Sequence, residues 1–226
     1  LKAGVSEHGA AAAASHTGSL AGAAKVYSAA FEQAGVIQAA DLNDLFDRTQ
    51  ALSLQPAMKG DHLLIITNGG GVGVLATDAA EKFGVPLQFA PQDVQQELKK
   101  HMPDFGSAKN PVDLTGMAGT EWYTESVRYA FAHPWVDGLT ILYCETAMTN
   151  PQEIAEGLKK AIEESGVKEK PVTISFVGGE KSEKAMRWLV DNGIPAYNAP
   201  DLAINAMAAL REYGILQSTE ISEPIQ

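Results

Sequence analysis

Cysteine, positive charge and long hydrophobic runs are all scarce in this sequence. The single cysteine, Cys144, excludes an internal disulfide and a cysteine-based metal cluster, and it suits a reducing cytoplasm. Lysine and arginine total 17 against 28 acidic residues, and this net charge of -11 argues against nucleic acid or an anionic membrane as the main partner. No run approaches the ~18 apolar residues of a membrane span, and no charged-then-apolar leader is recognisable. We expect a cytoplasmic protein that holds any phosphate locally.

The length and the order of patterns predict a large domain with a smaller piece in front of it. The 226 residues are 45% apolar and 20% charged, which is typical of globular proteins. The chain opens at Leu1 without methionine, so we expect that the start of a domain lies upstream. Residues 1–55 are too small to enclose a core of their own and must dock on other sequence. Residues 60–215 are predicted to form the main domain, with 216–226 as a tail.

The first part is predicted to contain a loop, a helix, a strand and a second helix. Small residues and hydroxyls around His16 predict a mobile loop over 14–22. Apolar residues recur with helical spacing over 22–34 and 41–54, and Val36-Ile37 between them is predicted as a short strand.

In the main domain, strands alternate with helices. Strands are predicted at 62–67, 85–89, 112–114, 138–143 and 172–177. Helices are predicted over 92–101 and 120–131, after Asn150 as an N-cap, and from near Pro200. Unalternated apolar strands separated by helices indicate a parallel sheet covered on both faces. The predicted fold class is therefore α/β, a doubly wound, flavodoxin-like, three-layer αβα sheet.

A glycine turn follows the first strand of this domain. Its residues are Asn68, Gly69, Gly70, Gly71, Val72 and Gly73. Glycines at a helix start let backbone N–H groups approach an anion, so the turn is a candidate phosphate site. A side chain at Gly70 or Gly71 is expected to obstruct it and to forbid a positive φ. The alternative is a turn that serves only close packing of helix on strand.

Other ligands of this scaffold fit the residues less well. The 71–76 segment satisfies G-x-G-x-x-A, but the strand 85–89 ends without a carboxylate for a ribose, which disfavours NAD. A flavodoxin would need a hydroxyl-rich first loop, whereas this loop is glycine with one threonine. A receiver domain would need an acidic pair where Thr67-Asn68 stands. Both classes are therefore disfavoured. Glu145 is a candidate acid at a strand end or a solvated loop residue. No residues have metal-ligand spacing, so we expect no metal site.

His16 is the candidate nucleophile. A neutral imidazole keeps a lone pair on one ring nitrogen for attack on phosphorus. Its neighbours Ser15, Thr17, Gly18 and Ser19 distinguish it from the other histidines, which are His8, His62, His101 and His133.

The motifs as a set resemble a known family. They are Ala13–Gly22, Phe31–Ile37, Thr67–Asp78 and Lys109–Leu114. They are similar to the α subunit of the ADP-forming acetyl-CoA synthetases, nucleoside-diphosphate-forming acyl-CoA ligases related to succinyl-CoA synthetase. The resemblance covers the chain to about Leu210. It implies that His16 is transiently phosphorylated, that Ser15, Thr17, Gly18 and Ser19 belong to the phosphohistidine loop, and that the turn Asn68–Gly73 faces the phosphohistidine.

The resemblance also implies that much of the enzyme lies elsewhere. Residues 1–55 would be the closing section of the phosphohistidine domain, and the CoA-binding and ATP-grasp parts have no counterpart here. The complete enzyme is expected to use ATP or ADP, Mg, CoA and phosphate, whereas this chain alone binds no cofactor. A hetero-oligomer or homo-oligomer is expected, with the isolated chain inactive. The alternative is a noncatalytic flavodoxin-like module that binds phosphate or a partner, with His16 vestigial.

Overall fold

The structure is a computed structural model that describes residues 1–17 and 23–219. It divides into two compact units, Leu1–Thr49 and Gln50–Gln226. The helices are α1 (Glu7–Thr17), α2 (Ala24–Gln33), α3 (Leu42–Leu54), α4 (Gly70–Lys82), α5 (Gln92–Leu98), α6 (Thr120–Ala132), α7 (Pro151–Ser165), α8 (Glu180–Asp191) and α9 (Pro200–Ser218), with a short 3-10 helix over Lys99–His101. The strands are β1 (Leu63–Thr67), β2 (Val112–Asp113), β3 (Gly138–Cys144), β4 (Val172–Val177) and β5 (Ala196–Tyr197).

The strands form one parallel sheet in the second unit. Their order is β2-β1-β3-β4-β5, and each neighbouring pair is parallel. This is the flavodoxin-like order, which places ligands beyond the carboxyl ends of the strands. The predicted fold class is confirmed.

Successive side chains of β1 point to opposite faces of the sheet and enter two separate cores. Leu64 and Ile66 belong to a core that includes buried residues of α5, α6, α7 and α8. Leu63 and Ile65 belong to a second core with buried residues of α4 and α9. Burial on both faces explains why β1 is apolar at all but its last position. The result is a three-layer arrangement of helix, sheet and helix.

The strand predicted over 85–89 is wrong, because those residues run as irregular backbone. The buried Asn110 side chain lies at the edge of β1 that such a strand would need. Its Oδ1 accepts from the Ile65 N–H at 3.0 Å, and its Nδ2 donates to the carbonyls of Leu63 and Gln88 at 2.8 and 2.9 Å. The fifth strand is instead β5, which the sequence analysis did not predict.

The first unit also corrects two predictions. His16 lies in the last turn of α1 and not in a loop, because the run Ala10–Ala14 has the highest helix propensity available. Val36-Ile37 is not a strand. The Val36 N–H donates to the carbonyl of Phe31 at 2.8 Å and so closes the end of α2.

Most predicted helices are present with nearly the expected bounds. Asn150 caps α7, where its side chain accepts from the Gln152 N–H at 3.1 Å. The last helix begins at Pro200 as predicted, and α9 continues through Ser218 into the predicted tail. Residues 220–226 of that tail lie outside the described residues. Across 1–17 and 23–219, each helix is too short or too polar to cross a membrane.

Candidate functional site: the amino end of α4

The turn between β1 and α4 presents a row of backbone N–H groups. The first bond within α4 runs from the Gly73 N–H to the Gly69 carbonyl at 3.0 Å. The preceding N–H groups, those of Gly70, Gly71 and Val72, have no hydrogen-bond partner among the described residues. A helix start leaves such donors unsatisfied, and the helix dipole adds about half a positive charge there. The amino end of α4 can therefore accept an anion.

Several helices begin at this same edge of the sheet, and α4 differs from them in its first turn. The others carry a carboxylate there, namely Glu121 in α6, Glu153 in α7, Glu180 and Glu183 in α8, and Asp201 in α9. The first turn of α4 has no acidic residue and no side-chain cap. A carboxylate at a helix start satisfies the dipole and repels a second anion. Among these helices, α4 is thus the one without an acidic residue of its own in the first turn, and the carboxylate nearest to it is that of Asp113 on β2, beside Gly70.

Glu145 shows the contrast directly. Its Oε2 accepts from the Gly179 N–H at 3.0 Å and from the Ser182 hydroxyl at 2.8 Å, so its carboxylate occupies the start of α8. A Cβ on Gly178 would lie 2.4 Å from the same oxygen, which requires glycine at that position. Glu145 thus joins the end of β3 to α8 and is neither a solvated loop residue nor a free acid.

The residues predicted to bind phosphate do not all present free donors. The buried Asn68 side chain is engaged by Cys144: its Oδ1 accepts from the Cys144 N–H at 2.7 Å and its Nδ2 donates to the Cys144 carbonyl at 2.9 Å. The Gly69 N–H donates to Thr67 Oγ1 at 3.0 Å. The structure therefore brings Asn68–Gly73 together as one turn and leaves its donors on residues 70–72.

The glycines of the turn have different environments. A Cβ at Gly70 would lie 2.9 Å from the Asp113 carboxylate, whereas one at Gly71 would meet nothing within 4 Å. The expectation of a positive φ at Gly70 or Gly71 is wrong, because the described glycines with positive φ lie elsewhere in the chain. Both residues begin a regular helix, whose φ is negative. The absence of side chains at Gly70 and Gly71 therefore matters for access and not for backbone conformation.

His16 lies in the first unit and is exposed. The Ser15 hydroxyl donates to the Ala12 carbonyl at 2.8 Å within α1, and Thr17 is the last residue of the helix. Gly18 and Ser19, also predicted to belong to the phosphohistidine loop, lie outside the described residues. An exposed imidazole at the end of a helix is accessible to a reagent.

Two other histidines are held in structural interactions. His62 Nδ1 lies 3.2 Å from Asp137 Oδ2, and its ring stacks on Trp135 with 4.9 Å between centroids. His133 Nδ1 accepts from the Trp135 N–H, and its Nε2 lies 3.4 Å from Asp93 Oδ2. These contacts give His62 and His133 a structural role, and neither needs a catalytic role to explain its position.

Tyr123, on α6, is a member of this edge that sequence reasoning missed. It is fully buried, and its hydroxyl donates to the Leu142 carbonyl at 2.8 Å. Burial raises the pKa of Tyr123 well above its ordinary value, so the hydroxyl keeps its proton. In the sequence, Tyr123 is indistinguishable from any core aromatic of an amphipathic helix.

Two family models match this chain, one for each of its two units. A family model described as the Ligase-CoA domain matches residues 63–212, which include the whole sheet and the start of α4. The chain belongs to the Ligase-CoA domain family. A second model, the succinyl-CoA ligase like flavodoxin domain, matches residues 1–52. The predicted resemblance is confirmed.

Relatives of this family are ADP-forming ligases. The chain is 52% identical over 216 residues to the acetate–CoA ligase (ADP-forming) I subunit alpha of Pyrococcus furiosus, covering 94% of this chain and 46% of that one. It is 37% identical to the acetate–CoA ligase (ADP-forming) I of Archaeoglobus fulgidus, covering 97% and 30%. The chain spans less than half the length of these relatives.

A solved structure also matches nearly the whole of this chain. It is the dinucleotide forming acetyl-coenzyme A synthetase 1 of Ca. Korarchaeum cryptofilum in complex with phosphate and ADP. The TM-score is 0.92 at 45% identity, covering 96% of this chain and 47% of that one. The fold described above is therefore that of about half of the larger synthetase.

Proposed function

We propose that this chain is part of an ADP-forming acyl-CoA synthetase, an acid–thiol ligase that interconverts acyl-CoA, ADP and phosphate with free acid, CoA and ATP. The observation that carries the proposal is the open amino end of α4 in a chain whose relatives are ADP-forming acetate–CoA ligases. An acyl-CoA ligase of this type handles phosphoryl groups, and an uncapped helix start is a site for them.

The phosphoryl site in this proposal is the turn Asn68–Gly73. The N–H groups of Gly70, Gly71 and Val72 donate to phosphoryl oxygens, and the dipole of α4 stabilises the negative charge. Gly71 leaves room for the ligand, since nothing lies within 4 Å of the position its Cβ would take. Asn68 and Gly69 shape the turn through bonds inside the protein and donate no hydrogen bond to the phosphoryl group.

The proposed nucleophile is His16. Phosphate attacks the acyl carbon of acyl-CoA, the thioester C–S bond breaks, and acyl phosphate and CoA result. A ring nitrogen of His16 then attacks phosphorus, the bond to the acyl oxygen breaks, and free acid leaves behind a phosphohistidine. Transfer of that phosphoryl group to ADP gives ATP and restores the imidazole. A covalent intermediate divides one difficult transfer into two easier ones.

Ser15, Thr17, Gly18 and Ser19 complete the proposed phosphohistidine segment. The exposed imidazole of His16 and the small size of these four residues support this assignment. The segment is proposed to present the same histidine first to acyl phosphate and then to ADP.

The rest of the enzyme is proposed to come from protein outside this chain. CoA-binding and ATP-grasp domains or subunits would supply the sites for CoA and for ATP or ADP, in a hetero-oligomer or homo-oligomer of the cytoplasm. Mg is proposed to bind with the phosphates of the nucleotide, on those other parts of the enzyme. This chain alone is expected to be inactive.

The test is a phosphorylation experiment on the complete enzyme. Incubation with γ-labelled ATP and magnesium is expected to give a phosphoprotein that is labile to acid and stable to base, with the label on the peptide that carries His16. His16→Asn is expected to abolish the label and turnover, because an amide cannot accept the phosphoryl group. His8→Asn is the matched control, since His8 is also an exposed histidine of α1.

Two results would contradict the proposal. One is acyl-CoA formation by His16→Asn at an appreciable fraction of the parental rate. The other is an equal loss of label in His8→Asn, which would mean that α1 as a whole, and not the imidazole of His16, is required.

A further inference from the structure

The Asn68 side chain extends the sheet beyond the end of β1. Thr67, the last residue of β1, pairs with Leu142, and β3 continues to Cys144. At Cys144 the amide of Asn68 replaces the missing backbone, donating to the carbonyl and accepting from the N–H of one residue. A carboxamide is the side-chain group that carries both a donor and an acceptor in peptide-like geometry. Asn68 therefore fixes the first residue after β1 to β3.

Tyr123 fixes the strand beside the same turn. Its buried hydroxyl donates to the carbonyl of Leu142, the residue of β3 that pairs with Thr67, so one group joins α6 to β3 at the point where the turn begins. The N–H of Gly69 donates to Thr67 Oγ1. The N–H group that directly precedes α4 is thus satisfied inside the protein, and the row of free donors begins at Gly70.

The consequence is a turn whose geometry is set before any ligand arrives. Asn68 is 2% exposed and Tyr123 is 0% exposed, so water does not compete for these bonds. Donors that are fixed in advance need little reorganisation when an anion binds. Loss of one bond would let the turn shift, and displacements of about 1 Å are enough to weaken a positioned site.

We propose that Asn68 and Tyr123 are positioning residues that hold the N–H groups of Gly70, Gly71 and Val72 in the arrangement that binds a phosphoryl group. This inference rests on the proposed function of the α4 amino end. It assigns Asn68 to the support of the site and not to contact with the ligand.

Tyr143 provides a matched control for Tyr123. Both tyrosines are fully buried, and their rings lie in one core with 6.5 Å between centroids. The Tyr143 hydroxyl bonds to Thr149 Oγ1 at 2.7 Å, in the segment after β3, and has no bond to the turn. Removal of either hydroxyl costs one buried hydrogen bond, about 1 kcal/mol, so the two variants should lose similar stability.

The experiment compares Tyr123→Phe with Tyr143→Phe in the complete enzyme, assayed in the direction that consumes phosphate. For Tyr123→Phe we expect the KM for inorganic phosphate to rise about ten-fold, with the KM for CoA-linked substrate changed less than about two-fold. Tyr143→Phe is expected to leave both KM values within about two-fold of the parent.

Hydrogen exchange of the 226-residue chain supplies a readout that does not need activity. Tyr123→Phe is expected to speed amide exchange in the peptide 67–73, and Tyr143→Phe in the peptide 144–150. An equal rise of the phosphate KM in both variants, or faster exchange at 67–73 without any rise, would overturn the inference and leave the proposed function standing. A parental enzyme that does not use phosphate would overturn the proposed function, and this inference with it.

Discussion

The two units of the chain differ in how they bury apolar surface. The unit Gln50–Gln226 has a core on each face of its sheet, and Phe176, at 2% exposed, is typical of its large side chains. In the described residues of Leu1–Thr49, Ala39 is the one buried side chain, and α2 has none. Phe46, on α3, is 68% exposed.

The two units also carry different parts of the proposed site. Core burial contributes roughly 25 cal/mol per Å² of apolar surface, so the second unit has the means to hold its backbone rigidly. The open amino end of α4 belongs to that unit, and rigid donors suit it. The proposed nucleophile belongs to the unit whose described residues bury little apolar surface by themselves, which is consistent with the prediction that residues 1–55 dock on other sequence.

The largest expected effect contrasts two phenylalanines. Phe176→Ala should lower the free energy of unfolding of the 226-residue chain by about 3–5 kcal/mol, because it empties a core position beside Tyr143. Phe46→Ala should cost less than about 0.5 kcal/mol. Urea unfolding followed by circular dichroism measures both. Equal costs would show that the first unit is as well packed as the second.

A smaller effect is expected at the open helix start. Gly71→Val should reduce the rate of His16 phosphorylation in the complete enzyme at least ten-fold, because the added side chain fills the space beside the N–H donors. Stability should change by less than about 1 kcal/mol, since nothing lies within 4 Å of the new Cβ. Rapid-quench labelling measures the rate, and thermal melting measures the stability.

Glu81→Val is the control for Gly71→Val, because Glu81 is exposed near the other end of the same helix. It should leave phosphorylation at the parental rate. If Gly71→Val also phosphorylates at that rate while folded, the turn serves packing alone.

The smallest expected effect is a pH dependence in the first unit. Burial, followed by the charges of Asp44 and Asp41, raises the pKa of Asp47 above its ordinary value. The folded state then binds this proton more tightly than the unfolded state, so the ionised carboxylate destabilises at neutral pH and the cost is relieved as the pH falls through the raised pKa. Asp47→Asn should stabilise by under about 1 kcal/mol at pH 7.

The check is the difference in melting temperature between Asp47→Asn and the parent, followed from neutral to acidic pH. It should be positive at pH 7 and shrink on acidification. Glu32→Gln, the same change of charge at an exposed position of α2, controls for net charge. A difference that grows as the pH falls would have the wrong sign for a raised pKa.

The fold could largely be predicted from the sequence because its signals are local. The apolar runs of β1, β3 and β4, the helical spacing between them and the Asn150 cap each act over a few residues. The prediction of a strand at 85–89 was wrong for a non-local reason. The side chain of Asn110 forms hydrogen bonds with the backbone groups of β1 that a neighbouring strand would need. β5 was missed because two residues are too few to show a period.

The site was predictable in part. Glycines after a strand indicated the α4 turn, and the motif around His16 indicated the resemblance. The sequence could not predict that Asn68 bonds to Cys144, 76 residues away, or that Tyr123 bonds to Leu142. A residue type alone does not show whether its polar group bonds inside the core or binds a ligand. The helix at His16 was missed because hydroxyls and glycine outweighed the alanines before them.

The Asn110 amide also has a consequence for association between chains. An unpaired strand edge is a template on which another molecule can add a strand. Asn110 covers the edge of β1 at Leu63 and Ile65 with a side chain, and β2 covers only Ile66 and Thr67. One carboxamide therefore seals most of the length of β1 against recruitment by a neighbouring polypeptide, and Asn110→Ala should make the chain prone to edge-to-edge aggregation even where its monomer still folds.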